Sequence, residues 1–461
     1  MQNKSEKLFG TDGIRGTPGK YPLTDGMIYK IGISLCRYLY YKNRDNQNLK
    51  VLIAKDTRLS GSRLETILAN AFTSAGIDVL SAAIMPTGGL AYLVDKLEAN
   101  LGIMISASHN KPQDNGIKLF IPGARKISLQ DEEWIEDIIF SNLIQPKEDF
   151  HSKLKGRTHT LTKERFYYLD FLKSGLNNLN FTGFKICLDS NWGATSNFAK
   201  ELFKSLGFIV YSLNDTPQET LNNFGFSNFS QLKDKVRETN SIGFSFDGDG
   251  DRVIAIDEEA NILDGDDILA IIAKYYLDKG SLSNNSIVTT NMSNFGLKHS
   301  LEKLGIKVIL GDVGDRSVLE TMLINKLNLG GEPTGHIILL DKLPTPDGSL
   351  CVLELLKIIK ETNLTLHELS QVITKVSQVV LNIPVRERIE LDNIASVRDK
   401  INEFNSSLKD EGRIFLRYSR TEDIIRLKVE AKTEVLASGI ANCLSLLINK
   451  EIGLKTQSTY V

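Results

Sequence analysis

The 461-residue sequence is short of several things, and each shortage removes a class of answer. It has only four cysteines, Cys36, Cys187, Cys351 and Cys443, with no C-x-x-C spacing between any two. That excludes a disulfide framework or a thiolate metal site and reads as reduced, mostly buried thiols. No run reaches the roughly 18 to 20 apolar residues a membrane span needs. The opening stretch MQNKSEKLFGTDGIRG lacks the apolar core of a secretory signal, so a cytoplasmic location and no membrane partner are expected. Neither sign of charge dominates: the formal net charge is -2, which offers no general nucleic-acid surface. What is present is ordinary for a globular chain with sizeable cores, 41% hydrophobic and 24% charged. The length suggests about three domains.

One pattern occurs three times. KVLIAKDTRLSGSRLETILANAFTSAGIDVL reads as strand, polar turn, helix, glycine break and strand. FKICLDSNWGATSNFAKELFKSLGFIVYSL and SIVTTNMSNFGLKHSLEKLGIKVIL repeat that order. Apolar residues such as Phe198, Leu202, Phe203 and Leu206 fall at helical spacing. Each helix is expected to stop at a glycine, Gly76, Gly207 or Gly305. This is the βαβ signature of parallel sheets. The copies are roughly a hundred or more residues apart, too far for a solenoid, so they predict three similar α/β domains. From about Val380, VVLNIPVRERIE, GRIFLRYSRTEDIIRLKVEA and a last Leu/Ala-rich helix predict a smaller α+β unit. Polar joins near KEDFHSKLKGRTH and DEEANILDGDD separate domains placed at 1–155, 156–258, 259–375 and 376–461.

Four stretches carry candidate chemistry. In GFSFDGDGDRVIAID, Asp247, Asp249 and Asp251 alternate with glycines between two strands. Three carboxylates this close repel unless a cation neutralises them, and oxygen-only ligands suit Mg²⁺. An EF-hand does not fit, because its sixth position must be Gly and is Arg252 here, which leaves a Mg²⁺ site or a solvated acidic turn. In GIMISASHNKPQDNGIKLF, Ser108 sits on the loop after a strand, where α/β sheets usually bind ligands. The G-x-S-x-G elbow of α/β-hydrolases is absent, which leaves a catalytic serine of another kind or a polar turn. In GGEPTGHIILLDK, Glu332, Thr334 and His336 offer carboxylate, hydroxyl and imidazole for sugar hydroxyls and proton transfer, or form a glycine-rich turn. In RYSRTEDIIR, Arg417, Ser419, Thr421 and Arg426 provide phosphate ligands, or a charged hairpin.

Taken together, LFGTDGIRG, KDTRLSG, MISASHN with DNGIK, FDGDGDRV, MSNFGL, VGDR and GGEPTGHIIL stand in one order, nearly end to end. In this the sequence resembles the α-D-phosphohexomutases, and within them the bacterial phosphoglucosamine mutases. The resemblance implies three related α/β domains with mixed, largely parallel sheets plus a smaller C-terminal α+β domain. It implies an isomerase of the cytoplasm that interconverts glucosamine 6-phosphate and glucosamine 1-phosphate for UDP-N-acetylglucosamine precursors. Ser108 would be the phosphoserine, and Asp247, Asp249 and Asp251 with its phosphate would hold one Mg²⁺. Glucosamine 1,6-bisphosphate, or a similar hexose bisphosphate, would be intermediate and activator. Glu332 and Thr334 would read sugar hydroxyls, and Arg417, Ser419, Thr421 and Arg426 would bind the phosphate not being transferred. Arg15, Lys118, Arg252 and His336 would surround the reacting end, Lys118 or His336 serving as base, with His109 shaping the phosphoserine. A small-molecule sugar phosphate is the expected partner, and a homodimer is compatible.

The sequence departs from the family's usual spelling in four places. The phosphate loop has Arg420 and Asp423 where Gly and Pro are usual. The sugar loop has Pro333 and Thr334 where Gln or Asn and Ser are usual. Lys111 and Gly88 each replace a common Pro. These touch recognition more than phosphoryl transfer. They keep open a phosphomannomutase or phosphoglucomutase, or a sugar-phosphate-binding homologue without turnover.

Overall fold

The structure, a computed structural model, describes residues 7–43, 48–141, 155–176, 179–196, 198–216, 228–419 and 423–454. The chain forms two compact units. One comprises Met1–Met292 and Ile306–Gln371, the other Ser293–Gly305 and Val372–Val461. The first unit contains three α/β sheets and the second a small sheet with helices, as the repeats and the distinct tail predict.

The first sheet holds β1 (Ile14–Gly16), β2 (Lys50–Lys55), β3 (Asp78–Ile84), β4 (Leu101–Ile105), β5 (Asn115–Ile121), β6 (Arg125–Lys126) and β7 (Thr158–Thr160). Its order is β1-β5-β4-β2-β3-β7, with β6 paired to β5. The helix Gly61–Ser74 crosses from β2 to the parallel β3, β4 is parallel to β2, and β5 returns antiparallel to β4. The second sheet repeats this with β8 (Lys185–Asp189), β9 (Ile209–Leu213), β10 (Ile242–Phe246), β11 (Val253–Ile256) and β12 (Ile262–Leu263), in the order β12-β11-β10-β8-β9. The third repeats it with β13 (Ser286–Thr290), β14 (Lys307–Gly311), β15 (Leu329–Gly331) and β16 (Ile337–Leu339), in the order β14-β13-β15-β16. In each copy two strands run parallel to a central one, and the strand that next follows these three along the chain is antiparallel to its neighbour.

The local chemistry explains the regularity. Gly76, Gly207 and Gly305 have φ of 80°, 92° and 80°, the left-handed conformation that ends a helix and that glycine takes without steric cost. Val51 to Ala54 on β2 and all of β4 are buried, as strands covered on both faces must be. One large core joins Ile28, Ile31, Leu35 and Leu39 of the helix Asp25–Lys42 to Leu64, Leu68 and Phe72 of the neighbouring helix and to Val51, Ile53, Ile103 and Ile105 of the sheet.

In the second unit β17 (Ser377–Pro384) and β18 (Arg413–Tyr418) flank β19 (Ile424–Ala431), all antiparallel. The helix Glu434–Ile452 is long and apolar enough to cross a membrane by composition. Its apolar stripe, Ala437, Ile440, Ala441, Leu444 and Ile448, instead forms a core with Ile425, Leu427 and Val429. The helix Phe295–Lys303, which links β13 to β14 along the chain, belongs to this unit. Its capping residue Asn294 exchanges two 3.0 Å hydrogen bonds with the backbone of Val376. The four cysteines carry no disulfide, and three of them are buried.

Candidate active site

Each α/β repeat contributes the same connection, the one between its third parallel strand and the antiparallel strand that follows. Between β4 and β5 this is the Ser108 loop. Between β10 and β11 it is the Asp247–Arg252 loop, and between β15 and β16 it is the Glu332–His336 loop. Topological equivalence therefore brings together residues more than two hundred positions apart. The loops approach closely. Arg252 and His336 form an isolated antiparallel bridge. A Cβ on Gly335, whose φ is 94°, would stand 2.4 Å from the carbonyl oxygen of Val253. Only glycine fits there.

Ser108 is fully buried. Its φ of 52° is in the left-handed region, which costs a non-glycine residue roughly 1 kcal/mol or more and persists only where surroundings enforce it. Its hydroxyl donates to Asp247 Oδ2 at 2.5 Å and lies 3.3 Å from His109 Nδ1. Asp247, Asp249 and Asp251 are all buried, with ligand oxygens within 4.8 Å of one another. Asp249 accepts from Thr87 Oγ1 at 2.7 Å through one oxygen, while its other oxygen, Oδ1, is buried with no hydrogen-bond partner. An orphaned carboxylate oxygen inside a cluster of three is costly as it stands. It is what a hard divalent cation would satisfy, so the donor set fits Mg²⁺.

Cations surround the cluster. Lys118 projects from β5, with Nζ 2.7 Å from Asp249, 3.0 Å from Asp251 and 3.0 Å from Asp12. Burial, the largest influence, opposes its charge, but Asp12, Asp249 and Asp251 outweigh it and hold its pKa well above the usual lysine value. Arg15, on β1, donates to Asn110 Oδ1 and to the Ala107 carbonyl, and pairs with Asp12. Arg252 Nε lies 3.0 Å from His336 Nε2. His336 is also 3.1 Å from Asp251 and, through Nδ1, 2.9 Å from Glu332. Burial and Arg252 work against the imidazolium, but Asp251 and Glu332 prevail and push its pKa up to about 9. His109 behaves oppositely. Burial first, then Arg252 and Arg15, lower it to about 4, so it is neutral. Asp247 is pushed up to about 7 by burial and by its two carboxylate neighbours. The neighbouring carboxylates thus favour the protonated form of both candidates for a base, Lys118 and His336.

Glu332 is held from two sides, by His336 and by the backbone N–H of Gly314, 2.9 Å away. Thr334 is exposed at the tip of the same turn. In the second unit, Arg417 on β18 and Arg426 on β19 are directly opposite in register. Ser419 is buried and donates its N–H to the Ile424 carbonyl at 2.9 Å. Thr421 and Arg420 lie outside the described residues.

Several residues escape sequence reasoning although their motifs are visible. Asp12, in LFGTDGIRG, bridges Arg15, Lys118 and Lys126. Asp315 and Arg316, in VGDR, pair with Lys126 and with Glu132. The signal was the motif string, but a string does not say which partner, a hundred residues away, a charge will meet.

The chain matches the family described as phosphoglucomutase/phosphomannomutase in all four of its parts. Alpha/beta/alpha domain I matches residues 6–145, domain II residues 167–261, domain III residues 264–376 and the C-terminal domain residues 380–444. It is 40% identical to the phosphoglucosamine mutase of Geobacter metallireducens, covering 98% of this chain and 100% of that one. It is 38% identical to the phosphoglucosamine mutase of Bdellovibrio bacteriovorus, covering 97% and 99%. A crystal structure of a phosphoglucomutase/phosphomannomutase family protein from Burkholderia thailandensis shares the fold, with a TM-score of 0.79 at 20% identity, covering 97% of this chain and 99% of that one.

Proposed function

The chain belongs to the phosphoglucomutase/phosphomannomutase family, and from that premise we propose that it is a phosphoglucosamine mutase, interconverting glucosamine 6-phosphate and glucosamine 1-phosphate. The observation that carries the chemistry is the buried Ser108 hydroxyl, 2.5 Å from Asp247 among three carboxylates. A hydrolytic serine would instead need a base beside it. His109, lowered to about 4 by burial and two arginines, is a neutral neighbour and not a strong base.

Ser108 carries the phosphoryl group. In the first half-reaction a sugar hydroxyl oxygen bonds to phosphorus as the Ser108 Oγ–P bond breaks, and the proton lost by the hydroxyl is made up on the leaving Ser108 Oγ, which ends as a free hydroxyl. The product is glucosamine 1,6-bisphosphate. In the second, Ser108 Oγ takes the phosphoryl group from the other end of the sugar. Such transfer depends on alignment and charge neutralisation more than on covalent activation. Asp247, Asp249 and Asp251, with the serine phosphate, would hold Mg²⁺, which supplies neutralisation of the transferring group. Lys118, Arg15 and Arg252 supply further positive charge from the protein. Lys118 or His336 serves as the base, and either must first give up a proton that the neighbouring carboxylates favour. Glu332 and Thr334 face the sugar hydroxyls. Arg417, Ser419, Thr421 and Arg426 take the phosphate that is not moving. Cross-strand placement of Arg417 and Arg426 supports this, since it sets two guanidinium forks side by side on neighbouring strands.

The test is a coupled assay with Mg²⁺ and a hexose bisphosphate, in which glucosamine, glucose and mannose 6-phosphates compete. The expected result is the highest kcat/KM for glucosamine 6-phosphate. Preference for glucose or mannose phosphate would make the enzyme a phosphoglucomutase or phosphomannomutase. No product from any of them would make it a binding homologue.

A further inference from the structure

The Ser108 loop is wrapped around a side chain from another part of the domain. Arg58 follows β2, on the turn before the helix Gly61–Ser74, and its side chain is wholly buried. Its Nη1 donates to the carbonyls of Lys111 at 2.6 Å and Asp114 at 2.9 Å. Its Nη2 donates to the carbonyls of Ser108 at 2.7 Å and Asn110 at 3.0 Å. Its Nε donates to Asp56 Oδ2 at 2.9 Å. Four carbonyls of one short loop thus converge on one guanidinium. The same Asp56 oxygen accepts from Ser106 Oγ at 2.6 Å, and Ser106 Oγ in turn accepts the Ser108 N–H at 2.8 Å. Ser108 is therefore gripped at its N–H through Ser106 and at its carbonyl through Arg58.

We propose that Arg58 is the positioning residue of the phosphoryl carrier, with Asp56 and Ser106 completing a platform that holds Ser108 in its left-handed backbone conformation and aims its Oγ at the carboxylate cluster. This rests on Ser108 being the carrier. Arg58 does not touch Oγ and takes no part in the chemistry. Its contribution is the geometry of the loop. Only arginine suits the place: its planar fork offers five donors at fixed angles, whereas lysine has three donors on one nitrogen. Lysine would keep the charge opposite Asp56 but could not reach carbonyls on both sides of the fork. Without the fork, Ser108 is free to leave the left-handed region, and Oγ swings away from the position in line with an incoming sugar oxygen. A misplacement of about 1 Å can cost on the order of 100-fold in rate.

The test uses the full-length protein as Arg58→Lys, with Ser106→Ala as a second, smaller change at the other end of the platform. Wild type is assayed in parallel with glucosamine 6-phosphate, Mg²⁺ and bisphosphate. Arg58→Lys is expected to lower kcat by roughly 10- to 100-fold in the folded protein, with KM within about three-fold, alongside a lower melting temperature from the loop carbonyls left without a donor. Ser106→Ala is expected to lower kcat by less, again at constant KM. If Arg58→Lys does not fold, Ser106→Ala alone decides. Wild-type kcat in a folded Arg58→Lys, or in Ser106→Ala where that variant decides, overturns the proposal, as does a loss carried by KM. An inactive wild type would overturn the functional reading instead, so the two failures are distinct.

Discussion

At the residue scale, the departures from the family's usual spelling can be judged by what each side chain meets. Gly88 opens the helix Thr87–Lys96, and a Cβ there would stand 2.2 Å from Asp347 Oδ2. That oxygen cannot easily yield, because Tyr168 donates to it at 2.6 Å while the other Asp347 oxygen accepts from Leu350 N at 3.0 Å. Glycine is thus matched to a carboxylate pinned from two sides. Gly88→Ala gains up to about 1 kcal/mol of helix propensity but overpacks a fixed site, at about 1–3 kcal/mol. A net loss of about 1 kcal/mol is expected, read as a lower melting temperature. A more stable variant would show that Asp347 moves freely. Lys111, where a proline is common, contributes its backbone carbonyl to Arg58, which either residue can do. The clustering of the three aspartates was legible in their type and spacing, whereas Ser108 was singled out as a carrier only through the family resemblance, its own loop reading also as a polar turn. Arg58 and Asp12 were not legible, since nothing in KDTRLSG or LFGTDGIRG says that an arginine will meet four carbonyls or an aspartate three cations.

At the element scale, Asp347 caps the helix Gly348–Thr362. Burial, the main cause, raises its pKa from 3.8 to about 6 despite the bonds from Tyr168 and the helix N–H groups. Between about pH 4 and 6 the folded protein therefore holds a proton there that the unfolded chain has released. The native state binds more protons, so this group's contribution to stability falls as pH rises through that window. Asp347→Asn is neutral throughout and should flatten that part of the profile. Melting temperatures of wild type and variant across pH 4 to 7 check it: their difference should shift in the variant's favour as pH rises, and a constant difference would contradict the assignment. The strands and the glycine-stopped helices of each repeat were legible from period and punctuation. The antiparallel return strand in each copy was harder to read, because a short buried run such as LGIMI has the same pattern whichever way its neighbour runs.

At the scale of the whole molecule, three copies of one topology offer the same loop, and each copy has given that loop a different task. One carries Ser108, one the three carboxylates, one Glu332 and His336. The repeat could be read from the sequence, but the equivalence of the three loops could not, since it depends on strand order. The Arg420 loop of the second unit lies partly outside the described residues, so its unusual spelling still rests on the sequence alone. Ser108, as proposed, carries the phosphoryl group between the two ends of the sugar. The most direct measurement is phosphopeptide mass spectrometry after incubating wild type and Ser108→Ala with hexose bisphosphate and Mg²⁺, joined to a turnover assay on the same samples. Phosphate is expected on the Ser108 peptide of the wild type and none on the variant, with turnover lower by several orders of magnitude in the variant. Full turnover by Ser108→Ala, or phosphate found only on another residue, would contradict it.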